Sequence, residues 1–551
     1  MKPSRYILIP ILSILTFSCA SCANKSTLDV QYDELVRSDV DDKNRNFYQI
    51  FPISFADSDG NGKGDLRGVI DKLDYIYEMG YNGIWLNPIH KSSTCHHYDV
   101  EDYFSVSTQF GTMETLDELV TKCHEKGIKI ILDMVLNHSS NKNEWFEESY
   151  VMALSDYKKD YSKWSNEAKR YNWVACPSGS TIPNGYHKVQ NVDPIAYESV
   201  FDSSMPDFNL TQLINGEEGD ELESLFSEIF RFWLVDHHVD GFRFDAVNEF
   251  FTGDVQKNLE VLTWMNNACR AVKQDCYLVG EGDWSSNSGK NKTYQESGFD
   301  SFFQFGNSAK NTGYIQQTVV QQSAKTIFTA LERNKENAAG GIEAPFLGNH
   351  DTPRFVGGVS GRGSEGINNT KFALGLLQQL RGATFTYYGD EVGMASQNTS
   401  ADGWYRLPIR WGDSYTTNLD KLGLYGASTK NLKEDLSYPF GTVKDQQRDS
   451  NSVLNYAKKA NLIRLALPEI ARGDFELVYS PSNQFVVIKR TYNNSSIYVA
   501  INASKSASVT IDYTTYGSKP VAELCPTGHV TYEAEGSTNV IIPAQSIFII
   551  K

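Results

Sequence analysis

Three apolar runs in this chain close on a carboxylate: Gly241-Phe242-Arg243-Phe244-Asp245, Leu278-Val279-Gly280-Glu281 and Pro345-Phe346-Leu347-Gly348-Asn349-His350-Asp351. Runs this short and apolar read as buried strands, which are typical of a parallel α/β sheet covered on both faces. Side chains alternate along a strand, so Arg243 points to the same side as Asp245. One such aspartate could simply cap the helix that follows. The recurrence of the pattern instead describes a fold that gathers acids at its strand ends.

The rest of the chain supplies the alternation that such a fold needs. Phe47 to Pro52 reads as a strand, Leu66 to Met79 as a helix, Gly83 to Pro88 as a strand, Met113 to Lys126 as a helix and Lys129 to Val135 as a strand. Asp133 to Asp245 then covers several times the roughly 30 residues of one β/α step. Most of the excess lies between Asn137 and about Leu210, an irregular stretch with Trp145, Trp164 and Trp173, which reads as an inserted subdomain. Helix Glu221 to Asp236 leads back into the alternation. Glu281 to Asp351 makes room for a weaker strand at Phe299 to Phe305, and Ala383 to Tyr388 is the eighth strand. Eight strands alternating with helices predict an α/β fold, a (β/α)8 TIM barrel whose active site lies at the C-terminal strand ends. Asn451 to Pro468 reads as a last helix. Beyond about Gly473 short Val, Ile, Thr and Tyr runs predict a separate antiparallel β-sandwich.

The N-terminus adds a different signal. Lys2 and Arg5 precede an apolar run from Tyr6 to Phe17, with small residues around Cys19 and Cys22. That is an export signal, too short for a membrane span. The cysteines resemble a bacterial lipoprotein box, with lipidation on Cys22 or on Cys19. The expected organisation is a signal peptide at 1–22, a polar tether at 23–43, the barrel at 44–136 and 211–470, the inserted subdomain at 137–210 and the sandwich at 471–551. Export and anchoring at the bacterial cell envelope follow, with membrane contact only through the lipid. The six remaining cysteines fit no zinc spacing. A net charge of -17 argues against nucleic acid and anionic membrane as partners. Neutral ligands stay open, 30 Tyr and 9 Trp suit sugar rings, and a monomer is expected.

Converging acids suit glycosidic cleavage, in which one carboxyl protonates the leaving oxygen and another acts at the anomeric carbon. A third acid can hydrogen-bond ring hydroxyls as charge develops. A metal cluster is the competing reading, but no His-x-x-x-His or Asp-x-Asp spacing occurs at these strand ends.

Four segments, Asp133-Met-Val-Leu-Asn137-His138, Gly241-Phe-Arg-Phe-Asp245, Gly280-Glu281 and Asn349-His350-Asp351, match in order the characteristic segments of glycoside hydrolase family 13. The chain resembles that α-amylase family from about Phe47 to Lys551. The resemblance implies Asp245 as nucleophile, Glu281 as general acid/base and Asp351 as transition-state stabiliser. It also implies that Arg243, His138 and His350 contact the sugar or orient the nucleophile. His96-His97-Tyr98-Asp99 resembles the segment after the second strand, where the tyrosine stacks beneath the sugar and the first histidine touches it. Met205-Pro206-Asp207-Phe208-Asn209-Leu210 resembles a fifth segment, in the form of a group intermediate between oligo-1,6-glucosidases and neopullulanases that includes lipid-anchored α-amylases. Phe208 stands where leucine is usual. Asp99 and Arg406 match positions that form a pocket-closing charge pair in exo-acting relatives; an ordinary ion pair is the other reading, so exo and endo action both stay open.

Asp57, Asp59, Asn61, Lys63 and Asp65 alternate with small residues in a glycine-rich loop, a spacing that lets one tight turn wrap a hard cation. Gly68 stands where an EF-hand has its distal glutamate, so Asp65 would close the site. The resemblance implies calcium here, with the Lys63 carbonyl as a ligand, and leaves open a second calcium at Asn137. Ala246, after the proposed nucleophile, accompanies α-1,4 preference in the family and favours starch or maltooligosaccharides. Asn248-Glu249 resembles the neopullulanase form, which keeps α-1,6 cleavage and transglycosylation as alternatives. A glucan-binding surface protein without catalysis is a further alternative, set against the three intact acids.

Overall fold

A computed structural model describes residues 38–214, 221–285, 288–308, 313–358, 363–397 and 400–551. The lipidation candidates Cys19 and Cys22, with the export signal, lie outside them. Eight parallel strands form one sheet: β1 Asn46–Ile50, β2 Gly83–Leu86, β3 Lys129–Met134, β4 Gly241–Phe244, β5 Tyr277–Gly280, β6 Ser301–Gln304, β7 Ile342–Pro345 and β8 Thr384–Tyr387. β8 returns to β1 with Thr384 opposite Asn46, and a parallel bridge between Phe346 and Phe385 brings β7 to β8. This is the TIM barrel.

The two-residue period of a strand sorts its side chains. Phe47, Trp85, Ile131, Tyr277, Phe303 and Phe385 fill the barrel interior, with Phe47 and Phe385 stacked 4.5 Å apart. Their neighbours Tyr48, Ile84, Leu132 and Leu278 face the surrounding helices. On β4 the outward positions are Phe242 and Phe244, so Arg243 is directed inward and is fully buried. Gly241 opens that strand because a Cβ there would lie 1.9 Å from the Tyr277 carbonyl oxygen.

Some expected elements differ in detail. The helix read across Leu66 to Met79 is two, Leu66–Asp71 and Leu73–Glu78. The Asp65 carboxylate caps the first by accepting from Gly68 N–H at 2.7 Å. The helix read from Glu221 ends its α-helical part at Arg231 and widens into a π-helical turn at Phe232–Asp236. Between β3 and β4 stands the insertion, with helix Glu144–Asp156 and a small antiparallel sheet of Trp173–Ala175, Tyr186–His187 and Ile195–Glu198. Residues 38–43, read as the end of a tether, lie against the barrel: Ser38 N–H donates to Leu465 O at 2.9 Å and Arg472 pairs with Asp41 at 2.8 Å.

The C-terminal strands form two antiparallel sheets, one of five strands and one of three. In the larger sheet Phe485, Val487 and Phe548 enter the sandwich core, while Val486, Ile488, Ile547 and Ile549 join the barrel's core. Buried Arg464 donates to the carbonyls of Gln378 and Gly382 at 3.0 and 2.5 Å. Among the described residues no helix is long and apolar enough to cross a membrane.

Candidate active site

β4 delivers the organising cation. Arg243 Nη1 donates to Asp133 Oδ1 at 2.6 Å and to Asp245 Oδ1 at 2.5 Å. Nη2 lies 2.9 Å from Glu281 Oε2. That third contact is Coulombic, because Nη2 makes no hydrogen bond among the described residues. One largely buried guanidinium therefore faces three carboxylates, and a single positive charge cannot offset three negative ones there. Burial pushes Glu281 up to about 8 against the pull of Arg243, with Asp245 and Asp351 adding to the rise. Burial likewise raises Asp245, opposed by Arg243, and lifts Asp133 to about 7. Glu281 is thus mainly protonated at neutral pH.

Asp351 goes the other way. Burial works to raise it, but His350 and Arg406 hold it well below the usual carboxylate range. Arg406 Nη2 donates to Asp351 Oδ1 at 2.7 Å, and His350 Nε2 is 3.0 Å from Oδ2. His350 itself is lowered to about 4 by burial, so at neutral pH the opposing charge is that of Arg406. The Gln49 amide donates to Asn87 Oδ1 and also meets His350 Nδ1, each at 2.9 Å. An amide nitrogen only donates, which places the His350 proton on Nε2. That nitrogen is 2.5 Å from the Tyr98 hydroxyl, which donates onward to Asp133 Oδ2 at 2.9 Å. The Tyr98 and His350 rings stack 5.5 Å apart and 2° from parallel.

Asp245, Glu281, Asp351, His96, Tyr98, His138 and Arg406 line one cavity of about 480 Å³ at the C-terminal ends of the strands. Arg243 and His350 lie beneath it. His138 is buried, is lowered to about 4 by that burial, and among the described residues has Nε2 without a hydrogen-bond partner. The expected Asp99–Arg406 pair does not form. Ser92 takes Asp99 Oδ1 at 2.6 Å and Ser93 takes Oδ2 at 3.3 Å, whereas Arg406 pairs with Asp351 and, at 3.5 Å, with Asp402.

Sequence reasoning passed over several contributors. Asp133, fully buried, binds Arg243 and Tyr98 and accepts from Trp85 Nε1 at 3.2 Å; its place in the motif with His138 was the available signal. Phe305, just past the end of β6, also lines the cavity, as do Asp402 and Trp284, which come from connecting segments without a pattern. Ala246 adopts a left-handed conformation (φ 46, ψ 36), and its N–H donates to Glu281 Oε2 at 3.2 Å. Asn248 turns elsewhere, accepting from Lys290 Nζ at 2.8 Å and the Tyr294 hydroxyl at 3.1 Å.

The chain matches the family model for the α-amylase catalytic domain over residues 49–473. It belongs to the α-amylase family. Alpha-amylase 3 of Dictyoglomus thermophilum is 32% identical over 476 residues, 84% of this chain and 85% of that protein. An oligo-1,6-glucosidase of Parageobacillus thermoglucosidasius is 27% identical over 528 residues, 84% of this chain and 90% of that protein. The solved structure of Eubacterium rectale Amy13B is similar with a TM-score of 0.82 and 32% identity, covering 95% of this chain and 98% of that one. This α-amylase family member is a glycoside hydrolase of the α-amylase type, acting on α-glucan.

The aspartate loop stands apart from this cavity. One carboxylate oxygen from each of Asp57, Asp59 and Asp65 lies within 4.8 Å of the others. Among the described residues none of the three forms an ion pair, and Lys63 Nζ turns to Gln109 Oε1 at 3.3 Å. Three carboxylates with an adjacent amide oxygen form an all-oxygen donor set that fits a hard cation. Among the described residues no second such cluster occurs, and Asn137 donates to Asp207 Oδ1 at 3.1 Å.

Proposed function

We propose that this enzyme hydrolyses α-1,4-glucosidic bonds of starch or maltooligosaccharides with retention of anomeric configuration. The observation that carries the reading is the sharing of cations among the three acids: Asp245 and Glu281 both meet the Arg243 guanidinium, while Asp351 pairs with Arg406, so burial raises Glu281 whereas Arg406 and His350 hold Asp351 low. Glu281 gives its proton to the glycosidic oxygen as Asp245 bonds to the anomeric carbon and the C–O bond breaks. Glu281, now ionised, takes a proton from water, and that water displaces Asp245. Asp351 accepts hydrogen bonds from ring hydroxyls, strengthened as the ring gains positive charge. Tyr98, locked on His350, supplies the apolar face beneath the ring, and His138 and His96 offer ring nitrogens to hydroxyls.

Ala246 supports the α-1,4 assignment. It lines the cavity while Asn248 and Glu249 do not. The oligo-1,6-glucosidase relative keeps α-1,6 cleavage as the second reading. Asp57, Asp59, Asn61, Lys63 and Asp65 hold calcium, which neutralises the loop's clustered charge and fixes its shape. The mature chain is a monomer anchored by lipid on Cys22 or Cys19 at the cell envelope. Replacing Asp245 by Asn abolishes turnover of maltoheptaose on this reading; turnover near that of the parent enzyme removes Asp245 from the nucleophile's role.

A further inference from the structure

We propose that the catalytic cavity continues past His96 into a distal glucosyl-binding subsite whose platform is Tyr425. The inference rests on the α-glucan reading above and extends it to the length of chain the site engages. A second cavity of about 470 Å³, within the range of small-molecule sites, is lined by Ser92, Ser93, Thr94, Lys421 and Tyr425. His96 lines both cavities, so they adjoin at that residue. The ring's Nδ1 is held by Tyr98 N–H at 3.1 Å, and among the described residues its Nε2 makes no hydrogen bond to protein. The two serines and Thr94 are the residues that hold Asp99 away from Arg406. The contacts that prevent the Asp99–Arg406 pair thus build one wall of the second cavity.

Tyr425 is 82% exposed, while its neighbours Leu422 and Leu424 are buried. An aromatic ring left in water beside two leucines in the core does nothing for folding. Its backbone is nonetheless fixed. Gly403 packs so closely that a Cβ there would lie 2.3 Å from the Tyr425 carbonyl oxygen, and Gly426, at φ 75, sits against Ala401. The turn pressing on Tyr425 is the one that carries Asp402 into the catalytic cavity. An exposed ring on a braced loop, facing hydroxyls and the side chains of Lys63 and Lys421, whose ammonium groups are held by Gln109 Oε1 and Asn61 O, suits a sugar ring, which offers an apolar face to stack and hydroxyls at its edge. The occupant is a glucosyl unit of the same α-glucan whose reacting ring sits over Tyr98.

The test compares kcat/KM for maltoheptaose with that for maltotriose in the parent enzyme, Tyr425→Ala and Tyr425→Phe. Tyr425→Ala lowers the long-to-short ratio by roughly fivefold to tenfold, the scale of one aromatic contact, and Tyr425→Phe keeps it. Titration of both sugars into Glu281→Gln, with and without Tyr425→Ala, shows the same loss in binding without turnover. A ratio that Tyr425→Ala leaves unchanged, or an equal loss on both sugars, overturns the subsite. A parent enzyme that leaves maltoheptaose intact defeats the functional reading instead, while the titration still reports on Tyr425.

Discussion

Arg243 and Asp133 form an ion pair at 2.6 Å in which neither side chain is exposed to solvent. Neither group is placed to touch the anomeric carbon, yet the pair sets the position of those that are. Arg243 reaches on to Asp245 and Glu281, and Asp133 holds the Tyr98 hydroxyl. Breaking a buried pair strands the other charge, at about 3 to 5 kcal/mol. Asp133→Ala is expected to cost about 3 kcal/mol, the low end of that range, because Arg243 keeps two other acids. Denaturant unfolding measures it, and a loss under about 1 kcal/mol, the scale of an exposed pair, contradicts the assignment.

The carboxyl split predicts the pH profile. The acid must be protonated to act, so kcat/KM falls as pH rises through about 8, where Glu281 ionises. The acid-side limb belongs to the ionisation of Asp245, which is raised, so it lies above the ordinary aspartate range. Asp351, held far below that range, sets neither limb. In Glu281→Gln, residual cleavage of a substrate with a good leaving group loses the alkaline limb.

Stability carries the opposite sign. A carboxyl raised on folding binds more protons in the native state, so it lowers stability progressively from its ordinary value near 4.3 up to about 8. Glu281→Gln removes that term. Its Tm is therefore higher than the parent's by a few degrees at pH 8, with the gap closing towards pH 4.

Ala246 stands at φ 46, where a β-branched side chain is strained by about 1 to 3 kcal/mol. Ala246→Val lowers Tm and also shifts the N–H that reaches Glu281 Oε2. The expected loss in kcat is up to about tenfold, the scale of one hydrogen bond to a neutral group; steady-state kinetics on maltoheptaose measures it.

Calcium at the aspartate loop predicts a stability effect that needs no assay of turnover. Chelation lowers Tm by several degrees and added calcium restores it, since a ligand bound only to the folded state stabilises it by mass action. Asp59 is exposed and, among the described residues, hydrogen-bonds only within its loop, to Asn61. Asp59→Ala should thus fold normally and lose the calcium response.

The barrel was readable because strands buried on both faces must be apolar throughout, so β3, β4 and β5 stand out as runs. Their terminal acids were readable for the same reason, as charges without excuse in that setting. What escaped depended on which partner wins a side chain in space. Asp99 and Arg406 had a plausible mutual pairing, but Ser92 and Ser93 sit only a few residues from Asp99, and Asp351 competes for Arg406. The split of the first helix at Lys72 and the π-helical turn at Phe232–Asp236 cost no apolar position, so the periodicity hid them. Asp402 and Tyr425 arrive on loops, where no period marks a residue.

The central claim, that Asp245 and Glu281 carry a double displacement on an α-glucosidic bond, is tested most directly by proton NMR of the first sugar anomer released from maltoheptaose. The account predicts that the α-anomer appears first and then equilibrates with the β-anomer. Initial release of the β-anomer would contradict it.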